Sequence, residues 1–282
     1  MRNPTHVLKS LREQACKADY KFDRLYRNLY NPEFYLEAYA KIAQSQGSMT
    51  PGTDGMTLDG MSMPRINKLI GMLKDHSYQP NPARREYIDK KNDASKKRPL
   101  GIPSTDDKLV QEVVRMILEA IYEPVFSAKS HGFRQKHSCH TALNQVRTTF
   151  TGVKWIIEGD IKACFDSFDH HILVNIIRER IMDEYFIALI WKMLKAGYME
   201  QWTYHNTYSG TPQGSGCSPI LANICLNELD KYMAEYKMSL TSKTRKSGSP
   251  TRTMRGLPEK VTLILLKPRK CSLPGKKPRV KS

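Results

Sequence analysis

The run WIIEGDI at 155–161 is the feature that most constrains the fold. It is short, apolar and rich in β-branched residues, as a buried central strand is. Such a strand must pair inside a sheet. Yet it ends on Asp160, and Asp166 and Asp169 follow within nine residues. A carboxylate at the end of a rigid strand is well placed either to terminate it or to hold a cation. Asp169 sits just before an apolar stripe of Ile172, Leu173, Ile176 and Ile177, so it predicts a helix N-cap.

Helical patterns surround that strand. Leu8, Leu11, Ala15, Ala18, Phe22, Leu25 and Leu29 recur at three- and four-residue steps and predict one long N-terminal helix. Asn31-Pro32 stops it and opens another, with Phe34, Ala38 and Ile42 inward. Ser62 predicts a cap for a helix carrying Ile66, Leu69, Ile70 and Leu73. A long buried helix is marked by Leu109, Val110, Val113, Ile117, Leu118 and Ile121. A further helix over 184–196 ends at Gly197, and 198–208 reads as extended. RREYIDKKNDASKKRPLGIP at 84–103 predicts a strand, a basic turn and a second strand, with seven Lys or Arg within 84–98. Ser218-Pro219 opens a helix through Ile220, Leu221 and Ile224. The fold class is therefore α+β and helix-rich. Three segments are expected: helical 1–76, mixed 77–240, and 241–282.

Net charge is +17 over 282 residues, from 45 Lys and Arg against 28 acids, which points to nucleic acid. The excess is uneven. Residues 241–282 hold 13 bases and one acid, leaving 32 bases and 27 acids in 1–240. With five prolines, that tail reads as disordered. Six cysteines are scattered without CxxC pairs, as in a reducing compartment. No run approaches the roughly 18 apolar residues of a membrane span, and the first residues lack an apolar leader, so no membrane partner and a cytoplasmic location are expected.

TPGTDG at 50–55, RPLGIP at 98–103, HGFR at 131–134, GDIKACFDSFDH at 159–170 and TPQGSGCSPILAN at 211–223 stand in one order. Together they resemble the N-terminal part of group II intron-encoded reverse transcriptase/maturases over roughly 5–240. The resemblance implies the fingers and partial palm of a right-hand polymerase, acting as an RNA-directed DNA polymerase with an intron RNA-binding role. It implies Mg²⁺ as cofactor, and RNA, a DNA primer and deoxynucleoside triphosphates as partners. Two-metal nucleotidyl transfer needs hard oxygen donors. Asp160 is then the catalytic and metal-binding carboxylate, with the Ile161 carbonyl as second donor. Arg85, Lys90 and Arg98 would face the incoming triphosphate, Phe165 would reject a ribose 2′ hydroxyl, and Gln213 would line the pocket. Gly52, Asp54, Gly55, His131 and Arg134 would meet template or primer, with a structural ion pair as the alternative for Arg134.

One part of the pattern is missing. The family's second catalytic motif, Tyr-Ala-Asp-Asp, does not occur in 224–282, where Glu235 and Glu259 are the only acids after Asp230. A truncated copy is expected, its tail the product of a frameshift or of gene decay, impaired as a polymerase and only marginally stable. The alternative is a non-catalytic RNA-binding maturase remnant.

Overall fold

The computed structural model describes residues 2–45, 47–90, 93–151, 159, 161, 163–211 and 214–243. The 155–161 strand reading, Asp160, Gln213 and the tail beyond 243 fall outside the described residues.

Helix α1 (Pro4–Ala15) is capped by Asn3, whose Oδ1 accepts from the Thr5 N–H at 2.9 Å, with Pro4 at its first position. The predicted long N-terminal helix stops there. Phe22 instead forms an isolated bridge with Ile181: its N–H donates to the Arg180 carbonyl and its carbonyl accepts from Met182, both at 2.8 Å. The chain returns to a 3₁₀ turn at Tyr26–Tyr30. Phe22, Leu25 and Leu29 are still fully buried. The apolar stripe was real, but a contact 159 residues away, not helical continuity, delivers it to the core.

α2 (Pro32–Ala43) starts at Pro32 under an Asn31 cap, with Phe34 and Ala38 buried. α3 (Met63–Lys74) buries Ile66, Leu69, Ile70 and Leu73, although Ser62 makes no side-chain cap bond. β1 (Ala83–Lys90) and β2 (Asp93–Ile102) form the expected antiparallel hairpin. α4 (Thr105–Tyr122) follows directly and is buried on nearly every side. α5 (Cys139–Thr149) carries a Ser138/Thr141 capping box but buries none of its residues. A single turn, α6 (Cys164–Ser167), leads to α7 (His170–Arg178), which Asp169 caps as the sequence predicts, Oδ1 accepting from His171 and Ile172 at 2.8 and 3.0 Å. α8 (Glu184–Leu194) is followed by β3 (Tyr198–Glu200), β4 (Thr203–His205) and the long α9 (Ser218–Lys243).

Among the described residues the sheet order is β2-β1-β3-β4, with β3 parallel to β1 and antiparallel to β4. One apolar cluster runs from Ala15 to Cys225, so the N-terminal helices and the later segments share a core. α4 is its axis, with α1 and α2 packed on it. Its N-terminus carries a buried polar knot. The Asp107 carboxylate, 1% exposed, accepts from Tyr78 Oη (2.5 Å), the Asn81 N–H (3.0 Å) and Ser104 Oγ (2.6 Å), while Ser104 Oγ caps the helix through the Asp107 N–H (3.2 Å). Burial pushes this carboxyl up, against the three donors that pull it down. The knot ties the start of the hairpin to the start of the core helix.

Removing that carboxylate would orphan the buried Tyr78 and Ser104 hydroxyls and the Asn81 N–H. Asp107→Ala is expected to lower unfolding free energy by about 3 kcal/mol in a denaturant titration. A loss below about 1 kcal/mol would mean the knot is dispensable.

Candidate nucleotide and nucleic-acid site

Two separate stretches meet beside the hairpin. Residues 165–170 pair with 209–211 through an isolated antiparallel bridge between Asp169 and Ser209. The Gly210 N–H donates to the Phe168 carbonyl and the Thr211 N–H to the Phe165 carbonyl, both at 2.7 Å. Ser209 Oγ donates to the Asp166 carbonyl at 3.1 Å. The buried His170 faces the Gly210 carbonyl at 2.7 Å. A carbonyl only accepts, so Nε2 carries the proton. Burial pulls the pKa of this imidazole down, keeping it neutral.

The loop after Thr211 is held from two other sides. Gly214 has φ +110°, and a Cβ there would lie 2.4 Å from the Gly101 carbonyl oxygen of β2 and 2.9 Å from the Leu100 side chain. Only glycine permits this approach. From the core side, Gln111 of α4 accepts from Ser215 Oγ (2.9 Å) and the Gly216 N–H (3.2 Å), and its carbonyl accepts from Cys217 Sγ (2.8 Å). Gln111 was missed in the sequence. Its signal was a polar residue within the apolar stripe of a buried helix, where an amide needs partners.

The sequence-predicted site residues fall into three groups. Phe165 is half-buried, its ring edge-on to Phe133 at 5.9 Å, next to the loop that leads to Gln213. Arg98 is exposed and pairs across the hairpin with Ile88. Strand alternation puts it on the Leu100 face, toward the Gly214 loop. Arg85 pairs with Gly101 and so projects from the opposite face. The expectation that Arg85 and Arg98 converge on one triphosphate is thus corrected by the register: positions of unlike parity cannot share a face. Asp160, Gln213 and the Lys90 side chain lie outside what is described, and Ile161 is half-buried.

The template-contacting set also changes. Arg134 is 7% exposed at its side chain. Its guanidinium donates to both oxygens of Glu123 (2.9–3.2 Å) and to the Ser127 and Ser130 carbonyls at 2.6 and 2.7 Å. Four of its five N–H donors are engaged internally, as in the ion-pair alternative. His131 spends both ring nitrogens on Thr141 Oγ1 (2.9 Å) and Gln145 Oε1 (2.7 Å), pinning α5. Gly52 is buried, and a Cβ on it would meet the Ser104 backbone at 2.6 Å, so it is a packing glycine under the α4 cap. Asp54 and Gly55 remain exposed, in a turn where Asp54 Oδ1 accepts from the Met56 N–H at 3.2 Å.

This geometry is joined by a family match. Residues 88–244 match the model for reverse transcriptase (RNA-dependent DNA polymerase). The chain belongs to the reverse transcriptase family. Its similarity is to the group II intron-encoded kind: it is 54% identical over 220 residues to the group II intron-encoded protein LtrA of Lactococcus lactis subsp. cremoris, covering 78% of this chain and 37% of that one. It is 50% identical over 216 residues to an uncharacterized protein in the cob intron of Schizosaccharomyces pombe, covering 75% and 26%. The chain thus spans about a third of the length of these relatives. A chain of the partial Cas6-RT-Cas1–Cas2 complex superposes with a TM-score of 0.51 at 22% identity, covering 75% of this reverse transcriptase chain and 35% of the other, which shows the fold alone. No described helix is long and apolar enough to cross a membrane.

If Arg134 is a framework residue, Arg134→Ala is expected to cost about 3 kcal/mol of stability by leaving Glu123 unpaired. Arg134→Lys is expected to recover only part of this, because an ammonium lacks the planar fork. For both, the salt dependence of RNA binding by the folded protein is expected to match wild type. A lowered salt slope with unchanged stability would return Arg134 to the nucleic-acid interface.

Proposed function

We propose that this chain provides the fingers and partial palm of a group II intron reverse transcriptase, which extends a DNA primer on an RNA template and binds intron RNA. The observation that supports the reading is the junction where 209–211 bonds to the Phe165 and Phe168 carbonyls and Gly214 lies against Gly101 and Leu100 of β2. There an arginine neutralises triphosphate charge in bidentate fashion. Phe165, edge-on to Phe133, would clash with a 2′ hydroxyl and so favour a deoxynucleoside triphosphate. Asp54 and Gly55, on their exposed turn, would meet the template. The enzyme would work in the cytoplasm of a bacterial cell.

The hard oxygen donors of this region suit Mg²⁺ in kind. Asp160, with the Ile161 carbonyl, would hold it, and the ion would lower the charge barrier of nucleotidyl transfer. Among the described residues no group of three or more His, Cys, Asp or Glu side chains gathers as a metal cluster. The protein's own part is to position the nucleotide, reject the ribose form and exclude water beneath Phe165.

A second reading is a non-catalytic RNA-binding maturase remnant.

Primer extension on an RNA template with Mg²⁺ and four deoxynucleotides separates them. Polymerase function predicts that Asp160→Ala reduces extension about a hundredfold or more, the scale of losing one preorganised charge-stabilising group. Salt-sensitive RNA binding without extension by either protein would favour the remnant.

A further inference from the structure

The other face of the hairpin carries a cleft that the polymerase reading does not use. It has a volume of about 400 Å³, within the range of small-ligand sites. Arg85 of β1 and Pro99 and Gly101 of β2 line it. So do Thr207, Tyr208, Thr211 and Asp166.

Three features give the cleft a chemistry. First, the cation is fixed. The Arg85 guanidinium lies 3.5 Å from the centre of the Tyr198 ring. Tyr198 in turn stacks on His205, its partner across β3 and β4, at 4.9 Å and 15°. A guanidinium stacked in this way keeps its N–H groups in its own plane, where they can fork onto phosphate oxygens. Second, the wall contains unspent polarity. Thr207 Oγ1 and Thr211 Oγ1 are shut off from solvent and have no hydrogen-bond partner. Thr211 as a residue is only 3% exposed. Buried hydroxyls are rarely left so, and a rotation about χ1 lets each meet a polar atom entering the cleft. Third, the rim pairs an aromatic with an acid. The Tyr208 ring is 84% exposed and offers a face for stacking. The Asp166 carboxylate, also exposed, would repel a phosphate but accepts well from a sugar diol.

A cation for phosphate, a ring for a base and a carboxylate for a diol describe one ligand. We propose that this cleft binds a single ribonucleotide unit, with Arg85 on its phosphate, Tyr208 under its base and Asp166 on its 2′ and 3′ hydroxyls. The site would prefer ribose over deoxyribose, opposite to the preference proposed for Phe165. The unit could be supplied by a free nucleotide or by an unpaired residue of an RNA strand.

Equilibrium dialysis of the full chain with 5′-AMP and 2′-deoxy-AMP, in EDTA and without primer, tests this apart from polymerisation. The expected result is AMP binding about tenfold tighter than deoxy-AMP, the value of one hydrogen bond to a charged acceptor. Asp166→Ala should abolish that preference. Thr211→Val should weaken AMP binding while leaving the melting temperature the same or higher, since it removes a buried hydroxyl that has no partner. Competition by a short unstructured RNA would identify a strand as the source, and AMP binding without competition a free nucleotide. Equal binding of AMP and deoxy-AMP, or a ribose preference that survives Asp166→Ala, would overturn the proposal. Loss of primer extension alone would leave it standing.

Discussion

The placement of both nucleotide faces depends on what the buried α4 helix is tied to. At its first turn, Asp107 gathers Tyr78, Asn81 and Ser104, fixing where the hairpin begins. One turn on, Gln111 holds the 215–217 loop through its side chain and its carbonyl. Further along, Arg115 lies between Glu112 and Glu119 at 2.6–2.8 Å, and Lys41 reaches Glu112 at 3.1 Å from α2. A helix buried on all sides gains most of its stability from apolar contact, which has no direction. The polar groups set its rotation and register. Each is inward-facing and partnered, so a small rotation of α4 would break several bonds at once. This rigidity is what a site assembled from distant stretches requires.

The junction itself is built mostly from backbone. The 165–170 and 209–211 segments hold each other by main-chain bonds, and Gly214 sits against β2 because it has no side chain. Backbone contacts leave side chains free to face a ligand. They also explain why the hairpin divides labour. With β1 and β2 in fixed antiparallel register, residue parity alone sends Arg98 toward the Gly214 loop and Arg85 into the cleft beside Tyr198.

Much of this was legible in the sequence, for local reasons. The Pro32 start, the Asp169 cap, the 84–103 hairpin and the buried stripe of α4 all follow from neighbours within a few residues. The N-terminal helix was overextended because its apolar spacing is the same whether Phe22 continues a helix or bridges to Ile181. Helical periodicity records which side chains are buried, not what they are buried against. Gln111 was passed over for a related reason: one polar residue in an apolar stripe is weak evidence until its partners are known.

The site residues are more instructive. Family-like stretches named Gly52, His131 and Arg134 as nucleic-acid contacts, and in this structure they pack under a helix cap, pin α5 and close an ion pair. A short motif can be shared because its residues touch a ligand or because they hold the loop that does. Sequence gives both the same letters. What separates them is whether the donors are already spent. Arg134 has spent four of its five, while Arg85, stacked and half-exposed beside two unpartnered hydroxyls, retains the means to bind. Counting spent donors is therefore a sharper guide to function here than the motif, and it points to the cleft face as well as the polymerase face.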